Sequence, residues 1–123
     1  MTEMRSPLNT MLVEEFGRRL REARHALLRT LAVTDDEIAT LERHEAGAMV
    51  EDAATETMAA ILSRLEGREK HELDEIEDAA VRLEAGTFGL CERCARAIAL
   101  ARLRAMPQTR YCLDCQQKAE TTR

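Results

Sequence analysis

Four cysteines, the only four in the chain, stand at Cys91, Cys94, Cys112 and Cys115 in the pattern C-x2-C-x17-C-x2-C. The thiolate is the metal-binding form of cysteine, and two thiolates three residues apart converge when the chain between them makes one tight knuckle. Two such knuckles, brought opposite each other by the intervening residues, supply the four sulfurs of a tetrahedral Zn(2+) site. That shell is closed to water and substrate, so one structural zinc is expected, with its binding energy serving as folding energy for the segment. An iron–sulfur cluster is the other metal reading of four cysteines. Two disulfides are disfavoured, because Met1 to Thr10 contain no long apolar run of the kind a signal peptide needs, which places the chain in the reducing cytoplasm. A redox C-x2-C would leave the second pair without a role, and neither pair sits in a βαβ pattern.

Catalytic chemistry has no comparable support. The serines are Ser6 and Ser63 and the histidines His25, His44 and His71, with no nucleophile elbow and no glycine-rich phosphate loop, so the chain is not expected to be an enzyme.

The elements that must position the cysteines follow from composition. Of 123 residues, 33% are charged and only 2% aromatic, which is too little bulk for an ordinary globular core. Abundant Ala, Leu, Glu and Arg point instead to long helices that bury a narrow apolar seam. Val13, Phe16, Leu20, Ala23, Leu27, Leu31, Thr34, Ile38 and Leu41 recur at helical spacing and predict one helix of about 35 residues. Thr34-Asp35-Asp36-Glu37 resembles a capping box, but the stripe crosses Thr34 in phase, and continuity as far as Gly47 is the expectation. A second stripe runs through Met58, Ile61, Leu65, Leu73, Ile76, Ala80 and Leu83 to Gly86, with a polar gap at Arg68 and Glu69 beside Gly67. The fold class is therefore mainly α. Residues 1–85 are expected to form an N-terminal segment and a long antiparallel coiled-coil hairpin of roughly 50 Å, with a tip at about 45–53. Residues 86–123 are expected to form a small four-cysteine finger with a short C-terminal helix.

Charge is distributed unevenly along that plan. The formal net charge is −5, which divides into −9 over residues 1–85 and +4 over residues 86–123. Thr34 to Glu56 holds eight acids against Arg43 alone, placing an acidic zone around the tip. Such a chain is repelled from a bare nucleic-acid backbone, so sequence-specific DNA binding is not expected. No stretch is long and apolar enough for a membrane span.

The finger segment resembles the DksA/TraR family. Gly86-Thr87-Phe88-Gly89-Leu90-Cys91-Glu92-Arg93-Cys94, then Arg102-Leu103-Arg104-Ala105-Met106-Pro107, then Cys112-Leu113-Asp114-Cys115-Gln116, carry the resemblance over the last third of the chain. It implies a bacterial transcription regulator that binds RNA polymerase and inserts an acidic coiled-coil tip into the secondary channel. The family tip reads Asp-x-x-Asp-x-Ala. Counting back from Cys91 lays Ala48 on its first Asp, Glu51 on its second and Ala53 on its Ala, and a one-residue slip makes Asp52 and Ala54 the pair. Glu51, Asp52 and Ala53 are thus the tip candidates. Family positions for the alarmone guanosine tetraphosphate fall on Arg68, Glu75, Met106 and Gln116, of which only Arg68 is basic. Little dependence on the alarmone is expected, since a polyphosphate needs several cations.

Around the finger, Arg93, Arg96, Arg102, Arg104 and Arg110 form either a solvated rim, partly paired with helix acids, or a surface that docks on an acidic polymerase rim; Arg102 is the one expected to serve structure. The polymerase reading predicts a cytoplasmic monomer. Two other classes stay open: a zinc-dependent helical assembly module, and a nucleic-acid-binding finger that uses the arginine rim.

Overall fold

The computed structural model describes residues 8–45 and 52–121, which form six helices: α1 Thr10–Arg29, α2 Asp35–Glu45, α3 Asp52–Leu62, α4 Gly67–Ala85, α5 Leu100–Ala105 and α6 Leu113–Thr121. The mainly helical class is as the sequence predicts. Chain contacts divide it into two compact units, one of Arg21–Asp74 and one that combines Met1–Leu20 with Glu75–Arg123. Gly47 and most of the 45–53 tip lie outside the described residues.

Within the unit of Arg21–Asp74, the expected 35-residue helix is two helices. The stripe misled because the end of α1 tightens into short turns, Leu31 N–H on the Leu28 carbonyl at 3.0 Å and Ala32 N–H on the Arg29 carbonyl at 3.3 Å, before a side-chain cap starts the next helix. Thr34 caps α2, its Oγ1 accepting the Glu37 N–H at 3.1 Å, and the Glu37 carboxylate turns back to accept the Val33 N–H at 2.9 Å. Thr34 is consequently exposed, whereas Glu37, Thr40 and Leu41 are buried. The second stripe is interrupted as well. α3 ends at Leu62 and α4 begins at Gly67, whose φ of +53° is left-handed and suits glycine.

Arg64, which stands in this second interruption, joins the two breaks. Its guanidinium donates to both Glu37 oxygens, at 2.6 and 2.9 Å, and to the Leu31 carbonyl at 2.9 Å. Around it Leu28, Leu31, Leu41, Met58, Ile61 and Leu73 form one apolar cluster, flanked by Leu27, Ala32, Leu62 and Leu65. Removing each such side chain from water is worth about 1.5–3 kcal/mol, and all four helical segments contribute to the cluster.

In the other unit the core is built from Phe16, Leu20, Ile76, Ala79, Phe88, Ile98 and Leu103. Its centre is the contact of the chain's two phenylalanines, Phe16 of α1 and Phe88 of the finger, with ring centroids 5.1 Å apart and planes tilted by 41°. A tilted pair of this kind adds about 0.5–1.5 kcal/mol to simple burial. On α4 the buried position is Ala79, not the expected Ala80, which is exposed.

The Arg64–Glu37 pair gives a pH signature. Donation from Arg64, reinforced by the Val33 N–H, holds the Glu37 carboxyl at about 2, below its ordinary 4.5. A depressed carboxylate contributes stability that is complete above its unfolded value and is lost as pH falls through the folded one. Glu37→Gln is therefore expected to lower stability at neutral pH and to narrow its deficit against the wild type between about pH 4.5 and about pH 2. Urea unfolding of both proteins followed by helical circular dichroism checks this. Since zinc release shares the acid range, the difference between the two is the measured quantity, and a pH-independent difference overturns the assignment.

Candidate metal centre

The finger begins where α4 is stopped. Gly86 adopts φ +77°, its N–H bonds the Leu83 carbonyl at 3.3 Å and the Thr87 N–H bonds the Arg82 carbonyl at 3.0 Å, a doubly bonded glycine C-cap. The chain then pairs briefly with itself: Cys91 N–H donates to the Arg96 carbonyl at 2.8 Å, Ile98 N–H to the Gly89 carbonyl at 2.8 Å, and Leu90 and Ala97 form an isolated antiparallel bridge. The turn of this pairing is the first knuckle. It is closed by Ala95 N–H on the Cys91 carbonyl at 2.9 Å, with Ala95 itself left-handed at φ +65°. The second knuckle is the start of α6, where Cys112 precedes the helix, Cys115 lies in its first turn, and Gln116 N–H bonds the Cys112 carbonyl at 2.9 Å. Glu92 N–H on the Arg110 carbonyl, at 2.9 Å, ties one knuckle to the other.

These turns bring all four cysteine sulfurs within 4.8 Å of one another, and Cys94 Sγ lies 3.8 Å from Cys112 Sγ. A tetrahedron of 2.3 Å zinc–sulfur bonds has edges of about 3.8 Å, so the cluster fits one ion. The surroundings sort the thiols. Burial raises the Cys91 thiol, but N–H groups of Cys112, Cys94 and Arg93 together outweigh it and leave Cys91 at about 6. Burial, reinforced by contacts with the other three sulfurs, pushes Cys115 up to about 12. Four adjacent thiolates repel, and a divalent cation at their centre is what lets them ionise together. Cys91 and Cys115 are buried and Cys94 is exposed, so the ion would sit at the edge of the finger core.

The arginines around the finger divide into two groups. Arg102 is structural, as the sequence suggests: its Nε donates to the Tyr111 carbonyl at 3.0 Å and its Nη2 to Thr109 Oγ1 at 3.4 Å. Arg104 pairs with Glu15 of α1 at 3.1 Å. Arg110 gathers three carboxylates, reaching Glu75 at 2.7 Å, Glu92 at 3.0 Å and Asp78 by a further short contact. Arg82 completes this group, with Nη1 buried 3.7 Å from the Glu92 carboxylate and without a hydrogen-bond partner. Burial lowers the Arg82 guanidinium, while the three carboxylates raise that of Arg110. The Arg93 and Arg96 side chains remain exposed, with no ion pair among the described residues.

The sequence anticipates pairing of some of these arginines with helix acids, but not which acids Arg110 meets. Glu75 and Asp78 are recognisably on one face of a helix, but their cation is 35 residues from Glu75. Of the remaining candidates, Arg68 is exposed near the start of α4. Glu51 lies outside the described residues, as do the side chains of Asp52 and Ala53 at the start of α3.

Residues 86–120 match the family model of the prokaryotic dksA/traR C4-type zinc finger. Over 113 residues, 92% of this chain and 79% of the relative, the sequence is 27% identical to the RNA polymerase-binding transcription factor DksA of Caulobacter vibrioides. A 60-residue stretch, 49% of this chain, is 43% identical to an uncharacterized protein of Aquifex aeolicus, of whose length it spans 41%. The fold is similar to that of the RNA polymerase binding protein and transcriptional regulator Dks of Chlamydia trachomatis, with a TM-score of 0.59 and 22% identity over 94% of this chain and 95% of that one. It is also similar to transcription factor DksA2 of Pseudomonas aeruginosa, with a TM-score of 0.57 and 22% identity over 93% and 87%.

Metal analysis of the purified protein is expected to give one zinc per chain and no iron–sulfur absorbance. Cys115→Ser is expected to abolish stoichiometric zinc and to collapse the dispersed amide signals of residues 86–121, because metal binding and folding of the finger are one event. Full zinc retention in that variant would overturn the four-sulfur site.

Proposed function

Because the chain is a DksA-like member of the DksA/TraR zinc-finger family, we propose that it is a non-catalytic regulator that binds RNA polymerase and modulates transcription initiation. The observation that carries this reading is the alignment to the Caulobacter DksA, a transcription factor named for binding RNA polymerase, along nearly the whole chain and not the finger alone. In the proposed mode the segment between α2 and α3 enters the secondary channel, where Glu51 and Asp52 bring negative charge towards the active centre and Ala53 gives a close approach. The sequence from Thr34 to Glu56, with eight acids against Arg43 alone, supports that mode.

Docking at the polymerase rim is assigned first to Arg93 and Arg96. Arg102 and Arg104 are also docking candidates on sequence, Arg102 with a structural role expected of it, but both make side-chain contacts within the chain. The same partnering supports a finger that does not bind DNA directly, since three of its arginines are engaged within the chain. No helix among the described residues is long and apolar enough to cross a membrane, in keeping with the proposed action as a cytoplasmic monomer.

Alarmone dependence is proposed to be weak. Of the four positions, Met106 and Gln116 are uncharged, and Glu75 is both of the wrong sign and committed to Arg110. Arg68 alone is a poor match for a polyphosphate.

Two measurements test these readings. The wild type is expected to co-purify with core RNA polymerase and to alter multi-round transcription, whereas Glu51→Asn with Asp52→Asn should retain binding and lose most of the effect; absence of binding by both proteins overturns the polymerase reading. In the same assay, guanosine tetraphosphate is expected to leave the protein's effect unchanged, and strong potentiation overturns alarmone independence.

A further inference from the structure

A helix interruption strands carbonyls at the end of one helix and N–H groups at the start of the next. The unit of Arg21–Asp74 contains two interruptions, residues 30–34 between α1 and α2 and residues 63–66 between α3 and α4. One side chain serves both. Arg64 sits in the second, where its own N–H bonds the Ile61 carbonyl at 3.1 Å and the next residue repeats the bond, Leu65 to Leu62, at 3.1 Å. From there its guanidinium crosses to the first, taking the Leu31 carbonyl at the end of α1 and both oxygens of Glu37 in the first turn of α2. Glu37 in turn accepts the Val33 N–H between them. The Leu31 carbonyl and the Glu37 carboxylate of the first interruption are thus both fastened to one residue of the second.

Packing does not do this job on the outer side of the first interruption. Val33 is 70% exposed and Thr34 is exposed, so nothing apolar covers the turn there. The inner side is apolar, with Leu31 buried and Leu65 packed against the same cluster, and dispersion contacts of this kind allow sliding more readily than a planar fork of fixed geometry. A partly buried ion pair is seldom the most stabilising choice at a site, and its distinctive contribution is to select one arrangement. Interruptions at the ends of helices are also where hinges form when nothing holds them.

We propose that Arg64 is a positioning residue: its fork to Glu37 and Leu31 locks two facing helix interruptions into one rigid joint, which sets the direction in which α2 and α3 carry the segment between them. The consequence for transcription rests on the polymerase reading, whereas the lock itself does not. α2 keeps its Thr34 cap when Arg64 is replaced, so the helix persists and only its attachment loosens.

The test uses the full zinc-loaded chain with Arg64→Met, which removes all three donor contacts, and Arg64→Lys, which keeps the charge but cannot fork. Amide hydrogen exchange at Ala32, Val33 and Leu65 is expected to accelerate by about tenfold or more in Arg64→Met and by less in Arg64→Lys, while exchange at Cys91 and Ile98 and the zinc content stay as in wild type. Both variants are expected to keep polymerase binding, and Arg64→Met to lose most of the effect on transcription. If Arg64→Met unfolds globally, the exchange pattern of Arg64→Lys decides alone. Unchanged exchange at the joint in both variants overturns the lock, and accelerated exchange with an undiminished effect on transcription overturns the positioning role. Failure of the polymerase reading is distinguishable from either, since the wild type would then not bind.

Discussion

Four sulfurs within 4.8 Å of one another are a constraint that the chain cannot satisfy by packing alone. As thiolates they repel, and in Cys115 contacts with the other three sulfurs add to burial in raising the thiol. One divalent cation resolves the constraint and turns repulsion into a four-point cross-link. The finger depends on that cross-link because its own secondary structure is short. α5 has six residues, α6 has nine, and the only strand-like pairing among the described residues is one isolated bridge. Knuckle geometry, the left-handed Ala95 and the glycine cap at Gly86 all serve to bring the sulfurs to one point.

Elsewhere the chain compensates for a small apolar inventory with arginine forks. With 2% aromatic residues, the contact of Phe16 and Phe88 uses both phenylalanines at one place. What the remaining core lacks in bulk is supplied by planar guanidinium groups that reach over long sequence separations: Arg64 to Glu37 and Leu31 in one unit, Arg110 to Glu75, Asp78 and Glu92 in the other. Each carries several donors in fixed relative directions, so each selects a geometry as well as an energy. The arrangement also bears on function. A carboxylate such as Glu75, which reads on sequence as an obstacle to a polyphosphate, has a structural occupation as the counter-ion of Arg110. Much of the basic character of the finger is likewise consumed internally, by Arg102, Arg104 and Arg110, while Arg93 and Arg96 stay exposed.

The metal centre was fully legible before any coordinates. The spacing of Cys91, Cys94, Cys112 and Cys115 specifies the ligand set because knuckle geometry is local, three residues to each pair. The mainly helical class was legible from composition, and the stop of α4 from Gly86, since a left-handed cap is again a local matter. Helix continuity was not. The stripe through Thr34 reports which face is apolar but is blind to the competition between an intrahelical bond and a side-chain cap. That competition went to the Thr34 cap, and Arg64, 27 residues away, holds the Glu37 carboxylate beside it.

By itself, then, the sequence determined the four ligands, the helical class, the glycine cap, and the concentration of acids between Thr34 and Glu56. Only the tertiary structure decided which charges are spent on holding the fold and which stay exposed, and where each helical arm is interrupted. The reason is physical. A guanidinium and a carboxylate find each other through space, at separations of 27 and 35 residues here, and no local pattern encodes which pairs will meet.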